Sequence, residues 1–237
     1  MENIANKVAL ITGGTKGIGY GIAEALMQEN AKVAITGRSK ASADKAAANL
    51  NRIGSGEAIG FVADVRKMAD QQKVVDAIIK KWGRLDVLVA NAGIGYFNPI
   101  ESLTEDQWNE TIDTNLTGVF YSVKASLEAL KQSRGYVITM ASLAGINFFA
   151  GATAYNASKF GLVGFTQALM LDVRNHGVKT TTILPGSVST NFNNHQPSDK
   201  DAWKIQPEDL GQMVIDLLKM NPRTLPSKIE VRPSIPK

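Results

Sequence analysis

The sequence predicts an α/β protein, a doubly wound parallel sheet of about seven strands with helices on both faces. Three observations predict it. Short apolar, β-branched runs alternate with stretches of helical periodicity along nearly the whole chain, the pattern of right-handed strand–helix–strand crossovers. The runs are almost continuously hydrophobic, as strands buried on both faces must be. A glycine-rich turn, Thr12-Gly13-Gly14-Thr15-Lys16-Gly17-Ile18-Gly19, directly follows the first run and opens the first helical stretch.

Residues 7–12 read as the first strand, after which Ile18, Ile22, Ala25 and Leu26 recur at helical spacing. Residues 32–36 form a second strand before the Ala-rich helix 41–53. Residues 58–63 form a third before helix 68–82, and 85–90 a fourth before a helical region from about 105 to 130. The fifth strand, 136–140, leads into a long helix from about 152 to 174, and 179–184 is the sixth. The last helix, 207–220, opens with Pro207 at its first turn and Glu208 and Asp209 behind it, which suits the positive end of the helix dipole. Residues 229–232 are a candidate short final strand. The segment 190–206 is polar, with Asn191, Asn193, Asn194, Pro197, Ser198 and Asp199, and reads as a mobile loop inside a single domain spanning residues 1–237. In such sheets ligands bind beyond the carboxyl ends of the strands, so residues there carry the functional reading.

Composition narrows the chemistry. The 237 residues include no cysteine, which excludes disulfides, zinc–thiolate sites, iron–sulfur clusters and thiol nucleophiles. Only His176 and His195 offer imidazole, so a multi-histidine metal site within the chain is excluded as well. Hydrophobic residues make up 44% and charged residues 20%, the balance of a globular chain with a full core. The net charge of +4 is mild, and its densest cluster, Lys80, Lys81 and Arg84 around Trp82, reads as a solvated helix end rather than a nucleic-acid patch. Residues 1–7 lack the pattern of a secretory signal, and no run of about 18 apolar residues exists for a membrane span, so a cytoplasmic location is expected.

Two constellations carry chemistry. In the turn at residues 12–19 the glycines let the backbone approach a pyrophosphate, while the helix N-terminus supplies N–H donors and a positive dipole end. Three residues separate Gly13 from Gly17, so this is neither the plain G-x-G-x-x-G spacing nor a P-loop with its Lys-Ser/Thr pair. Tyr155 and Lys159, four apart in the long helix, share one face. A phenol titrates near 10, and an ammonium within ~4–6 Å lowers that pKa by ~1–3, which would ready Tyr155 to exchange a proton with a carbonyl oxygen. Ser142, at the end of the fifth strand, is placed to hold that oxygen.

These residues, in chain order from Lys7 to about Thr190, resemble the short-chain dehydrogenase/reductase family. The resemblance implies a Rossmann fold and NAD(P)-linked reduction of carbonyl groups. Gly13, Thr15, Lys16, Gly17, Ile18 and Gly19 match the family's cofactor loop. Asp64-Val65 is similar to its adenine-contacting pair, Asn91-Ala92-Gly93 to the signature after its fourth strand, and Pro185-Gly186-x-Val188-x-Thr190 to the segment at the nicotinamide end. Asn115, Ser142, Tyr155 and Lys159 fall where its catalytic tetrad falls. By resemblance, Tyr155 is the general acid/base, Lys159 depresses the tyrosine pKa and holds the nicotinamide ribose, Ser142 orients the carbonyl, and Asn115 fixes a water feeding a proton relay through Lys159.

The finer readings rest on single positions. NAD-dependent enzymes place an acid at the end of the second strand to accept the ribose diol, but Gly37 stands there, followed by Arg38 and Ser39. With Lys16 these suit a 2′-phosphate, so NADP(H) is the expected cofactor and reduction the working direction. Ile94, Tyr96, Phe97, Leu143, Phe148, Phe149 and Phe192 are candidate pocket residues, favouring a small apolar or aromatic ketone, aldehyde or diketone as substrate. The ending at residues 228–234 lacks the Gly-rich, Asp-Gly-Gly close usual in 3-oxoacyl-[acyl-carrier-protein] reductases and is more similar to carbonyl-reductase and sepiapterin-reductase-like members; the acyl-carrier reductase is the second reading. A non-catalytic dinucleotide-binding regulator would lack Tyr155 or Lys159. An extended-branch epimerase would space the loop glycines more closely, and an enoyl reductase would set Tyr and Lys farther apart. Phe160, Leu162, Val163, Phe165, Leu169 and Met170 give the long helix more apolar surface than one sheet face covers, so a homotetramer is expected, or failing that a dimer.

Overall fold

The computed structural model describes residues 3–236. Seven strands form one sheet in the order β3-β2-β1-β4-β5-β6-β7, and every adjacent pair is parallel. In chain order the elements are β1 (Val8–Ile11), α1 (Gly17–Gln28), β2 (Lys32–Gly37), α2 (Lys40–Leu50), β3 (Glu57–Val62), α3 (Met68–Trp82), β4 (Val87–Ala90), α4 (Glu105–Ile112), α5 (Gly118–Ser133), β5 (Tyr136–Met140), α6 (Thr153–Val173), β6 (Lys179–Pro185), α7 (Pro207–Lys219) and β7 (Lys228–Val231). Strand order reverses between β1 and β4, the switch point at which the loops on either side diverge and leave a crevice.

Each central strand feeds two cores because successive side chains alternate faces. Ala9 and Ile11 of β1 pack with Ile22 and Leu26 of α1, Leu50 of α2 and Leu210 and Val214 of α7. Val8 and Leu10 pack with Val74 and Ile78 of α3, Val123 and Leu130 of α5 and Leu162 of α6. On the first face α1 and α7 meet at glycines: a Cβ on Gly21 would lie 2.7 Å from the Pro207 carbonyl oxygen. Only glycine there lets the two helices approach so closely.

Three local features differ from the sequence expectation. The helical region from 105 is not one helix: α4 and α5 are joined by a π-helical turn, Asp113–Thr117, which carries Asn115. Such a turn is invisible to a 3.6-residue periodicity and is frequent at functional sites. The segment 190–206 holds two short 3₁₀ turns, Phe192–Asn194 and Asp199–Asp201, and Ile205 pairs through its backbone with Ser187 and Ser189. The final strand forms at Lys228–Val231, in parallel register with β6, which delivers the residues after it to the same end of the sheet as every other strand. No helix among the described residues is long and apolar enough to cross a membrane.

Candidate active site

A cavity of about 1230 Å³ lies along the carboxyl ends of the strands. One end is built by the turn after β1. Gly13 and Gly17 have positive φ, and a Cβ on Gly13 would lie 2.9 Å from Ala92 Cα. That tight approach is cemented from the β4 side: Asn91 Nδ2 donates to the Thr12 and Gly13 carbonyls at 2.9 and 3.2 Å, and Thr12 Oγ1 accepts from the Asn91 and Ala92 N–H groups at 3.0 and 3.1 Å. Gly19 lies beneath, where any Cβ would meet Asn91 Nδ2. The cradle therefore bares backbone at the N-terminus of α1, which has no side-chain cap of its own.

The cavity wall next to this cradle carries Thr15, Lys16 and Ile18, then Arg38 just after β2, Asp64 and Val65 just after β3, and Arg66. A Cβ on Gly37 would lie 2.6 Å from Thr15 Cγ2, so a larger residue there would require the Thr15 side chain to move. Neither Lys16 nor Arg38 has an ion-pair partner among the described residues. Asp64 is instead held by Arg66 at 2.7 Å, and Arg66 also reaches Glu110 at 3.2 Å. The Arg66 hydrogen bonds hold the Asp64 carboxyl below the usual carboxylate range. Glu110 in turn accepts from the Tyr96 hydroxyl at 2.6 Å. The open cradle, the helix N-terminus and the two unpaired cations fit a dinucleotide bearing an extra phosphate.

At the other end Tyr155 and Lys159 project from α6 beside Ser142, which follows β5. Lys159 is buried, and its Nζ donates to the Met140 carbonyl at 2.9 Å. Burial lowers its pKa from 10.5 to about 8. Burial pushes the Tyr155 phenol above its ordinary 10, opposed by a hydrogen bond with Ser142. The Lys159 ammonium sits 5.7 Å from the ring centroid, and burial is the largest influence on the phenol. Asn115 is fully buried and wholly used within the protein. Its Oδ1 accepts from Ile94 N–H at 2.9 Å, and its Nδ2 donates to the Ile94 carbonyl at 2.8 Å and to Ser158 Oγ at 3.0 Å.

Of the remaining sequence candidates, Gly93, Ile94, Tyr96, Phe97, Leu143, Phe149, Pro185, Gly186, Val188, Thr190 and Phe192 line the cavity. Phe97 and Phe192 stand around the Tyr155 ring, with centroids 5.3 and 5.8 Å from its own. Two candidates lie outside the cavity lining. Ser39 caps α2, accepting from the Ser42 N–H, and does not reach the cavity. Phe148 is 85% exposed and stands outside it, because its loop turns outward before re-entering at Phe149. Sequence reading missed Arg66, Thr114, His195, Trp203, Lys204, Arg232, Pro233 and Pro236, which also line the cavity. The rule that sites gather at carboxyl strand ends finds Arg232 and Pro233 once 229–232 is taken as a strand. Nothing local marks the others.

This arrangement, a glycine cradle at the switch point and a Ser-Tyr-Lys cluster beyond it, defines a dinucleotide-dependent oxidoreductase. The short chain dehydrogenase family profile matches residues 7–201, and the chain belongs to that family. An uncharacterized oxidoreductase of Staphylococcus aureus is 32% identical over 235 residues, covering 98% of this chain and all of that protein. The 3-oxoacyl-[acyl-carrier-protein] reductase of Salmonella typhimurium is 34% identical over 208 residues, 87% of this chain and 84% of that one. An alcohol dehydrogenase from the archaeon Thermococcus sibiricus, solved in complex with 5-hydroxy-NADP, superposes with a TM-score of 0.92 at 29% identity, covering 98% of both chains.

The buried lysine makes stability depend on pH. Below about pH 8 both the folded and the unfolded chain carry the Lys159 proton, so the penalty for burying charge is fully present; between about 8 and 10.5 only the unfolded chain keeps it, and the penalty fades. Lys159→Met is expected to raise stability at pH 7 by on the order of 1–3 kcal/mol. That gain should shrink steadily above pH 8 in thermal melts, and a gain that is constant with pH contradicts the buried charge.

Proposed function

We propose that the protein reduces the carbonyl of a small apolar or aromatic ketone, aldehyde or diketone to the alcohol, using NADPH. The observation that carries this reading is the joining of two chemistries in one cavity: an uncompensated cationic wall beside a glycine cradle, and an aromatic chamber around Tyr155. A bound NADPH supplies the hydride. The bare N–H groups at α1 hold the pyrophosphate, and Arg38 and Lys16 hold the 2′-phosphate. Ser142 and the Tyr155 hydroxyl receive the carbonyl oxygen. The phenol, protonated at neutral pH, gives its proton to that oxygen. Lys159, an ammonium below about pH 8, then offers positive charge to the phenolate so formed.

The likeness to the Salmonella enzyme supports 3-oxoacyl-[acyl-carrier-protein] reduction as a second reading. Against it stands the carboxyl end, residues 228–234, which lacks a Gly-rich, Asp-Gly-Gly close.

Three outcomes test the proposal. Tyr155→Phe should bind NADPH normally and lose at least ~100-fold in turnover with an accepted ketone, the scale of general-acid catalysis; near-normal turnover refutes the tyrosine's role. Hydrogen bonds to charged groups are worth ~1.5–3 kcal/mol, so Arg38→Ala should weaken NADPH by roughly 10–150-fold and NADH far less. Equal weakening of both, or no NADPH preference in the unmodified enzyme, places the phosphate elsewhere. We also propose a homotetramer, because Trp108, Phe120, Phe160 and Leu171 of α4, α5 and α6 remain exposed. A monomer mass by light scattering at micromolar concentration rules this out.

A further inference from the structure

Asn156 directly follows Tyr155, yet it does not line the cavity. Adjacent helical residues point roughly 100° apart, so while Tyr155 faces the chamber Asn156 faces the segment that follows Ser142. It is buried, and its amide is spent on backbone groups of that segment. Nδ2 donates to the Ala144 and Asn147 carbonyls at 2.6 and 2.8 Å, and Oδ1 accepts from the Phe149 N–H at 3.4 Å. Buried amide bonds of this kind are expensive to leave unmade and so fix a conformation.

A second contact holds the same segment to α6. A Cβ on Gly145 would lie 2.8 Å from the Lys159 carbonyl oxygen and 2.9 Å from Val163 Cγ2, so only glycine lets the chain lie this close to the helix. Segment 143–149 is thus fastened to the helix that carries Tyr155 and Lys159. It is also a wall of the chamber, since Leu143, Ala144, Asn147 and Phe149 line the cavity. The Phe149 ring lies 6.0 Å from that of Phe97, and Phe97 lies 5.3 Å from Tyr155, between centroids. The spacing between this wall and the phenol is therefore set from α6, by one side chain and one close backbone approach.

Resting on the reading of the cavity as a carbonyl-reducing site, we infer that Asn156 is a positioning residue that sets substrate selectivity by fixing the 143–149 wall against Tyr155. It touches neither the carbonyl nor the cofactor. The groups that handle the proton have supports of their own: Lys159 is held by the Met140 carbonyl, and Ser142 hydrogen-bonds Tyr155 ahead of the clamped segment. Loss of the clamp therefore loosens the grip on a substrate's larger group and leaves the acid step in place.

The test compares 2,3-butanedione with 1-phenyl-1,2-propanedione, which adds a ring for the wall to hold, both with NADPH. A net hydrogen bond corresponds to about twofold to twelvefold in an equilibrium, and Asn156→Ala removes all those of the clamp. In that variant the ratio of kcat/KM for the phenyl dione to that for butanedione should fall by at least about tenfold, through KM. The kcat for butanedione, its pH dependence and the Kd of NADPH should stay unchanged. The ratio does not depend on how much of the protein is folded, so lost stability alone does not move it. Asn156→Ser, which keeps one hydroxyl to donate, should shift the ratio the same way by about threefold, and it decides the matter where the alanine variant does not fold. An unchanged ratio overturns the inference and leaves the carbonyl-reductase reading standing. A fall in kcat for both diones with KM unchanged also overturns it, because Asn156 then acts on the reacting centre and not on the wall. No reduction of either dione by the unmodified enzyme overturns both.

Discussion

The structure turns on one bridge between the ends of β1 and β4. The side chains of Asn91 and Thr12 make four hydrogen bonds to backbone groups of Thr12, Gly13, Asn91 and Ala92 across the point where strand order reverses. Without them the Thr12 and Gly13 carbonyls and the Asn91 and Ala92 N–H groups would need other partners. The same bridge continues inward. Asn115 seizes both backbone groups of Ile94, then donates to Ser158, whose hydroxyl bonds the Tyr155 carbonyl at 2.8 Å. The backbone through Gly93 thus joins the cofactor cradle to a second polar set, which reaches the turn of α6 that carries Tyr155. Geometry at one end is transmitted to the other through short, directional contacts rather than through packing alone.

Burial at the reacting centre trades stability for chemistry. Lys159 is held in the interior with a single carbonyl acceptor, and its charge is correspondingly easy to lose. Tyr155 is desolvated in the same place, with the opposite effect on its proton. The two shifts draw the lysine and tyrosine apart: one group more ready to release a proton, the other more reluctant. Enzymes commonly separate the proton affinities of paired groups in this way at the cost of some folding energy.

The segment 190–206 shows a polar sequence organised by a single carboxylate. Asp201 is nearly buried and accepts from Lys204 and His195, each at 2.6 Å, and from the Ser198 N–H at 3.1 Å. Lys204, then His195, hold its carboxyl down at about 2. Asn193 and Asn194 adopt consecutive left-handed conformations, which asparagine tolerates better than most residues. The result sets Phe192 against Tyr155, close enough to Gly95 that a Cβ there would lie 2.9 Å from its ring. The composition that reads as a loop is also the composition needed to fold back sharply over a site.

Sequence alone determined the parallel sheet, its alternating helices, the cradle glycines, the Tyr155–Lys159 pair and the absence of an acid at Gly37. All of these are local signals: a two-residue or 3.6-residue period, a residue demanded by backbone geometry, or a fixed spacing on one helix. Tertiary structure decided the rest, because it depends on which groups compete for the same space and the same donors. It set Ser39 to capping a helix, turned Phe148 outward, interrupted the helix at Asn115 with a π turn, and gave Asp64 to Arg66. It also brought Arg232 and Lys204, from separate late segments, to one wall of the cavity. Burial and the contest between desolvation and charge exist only once distant residues meet, and so the balance at Tyr155 and Lys159 could be settled only in the folded chain.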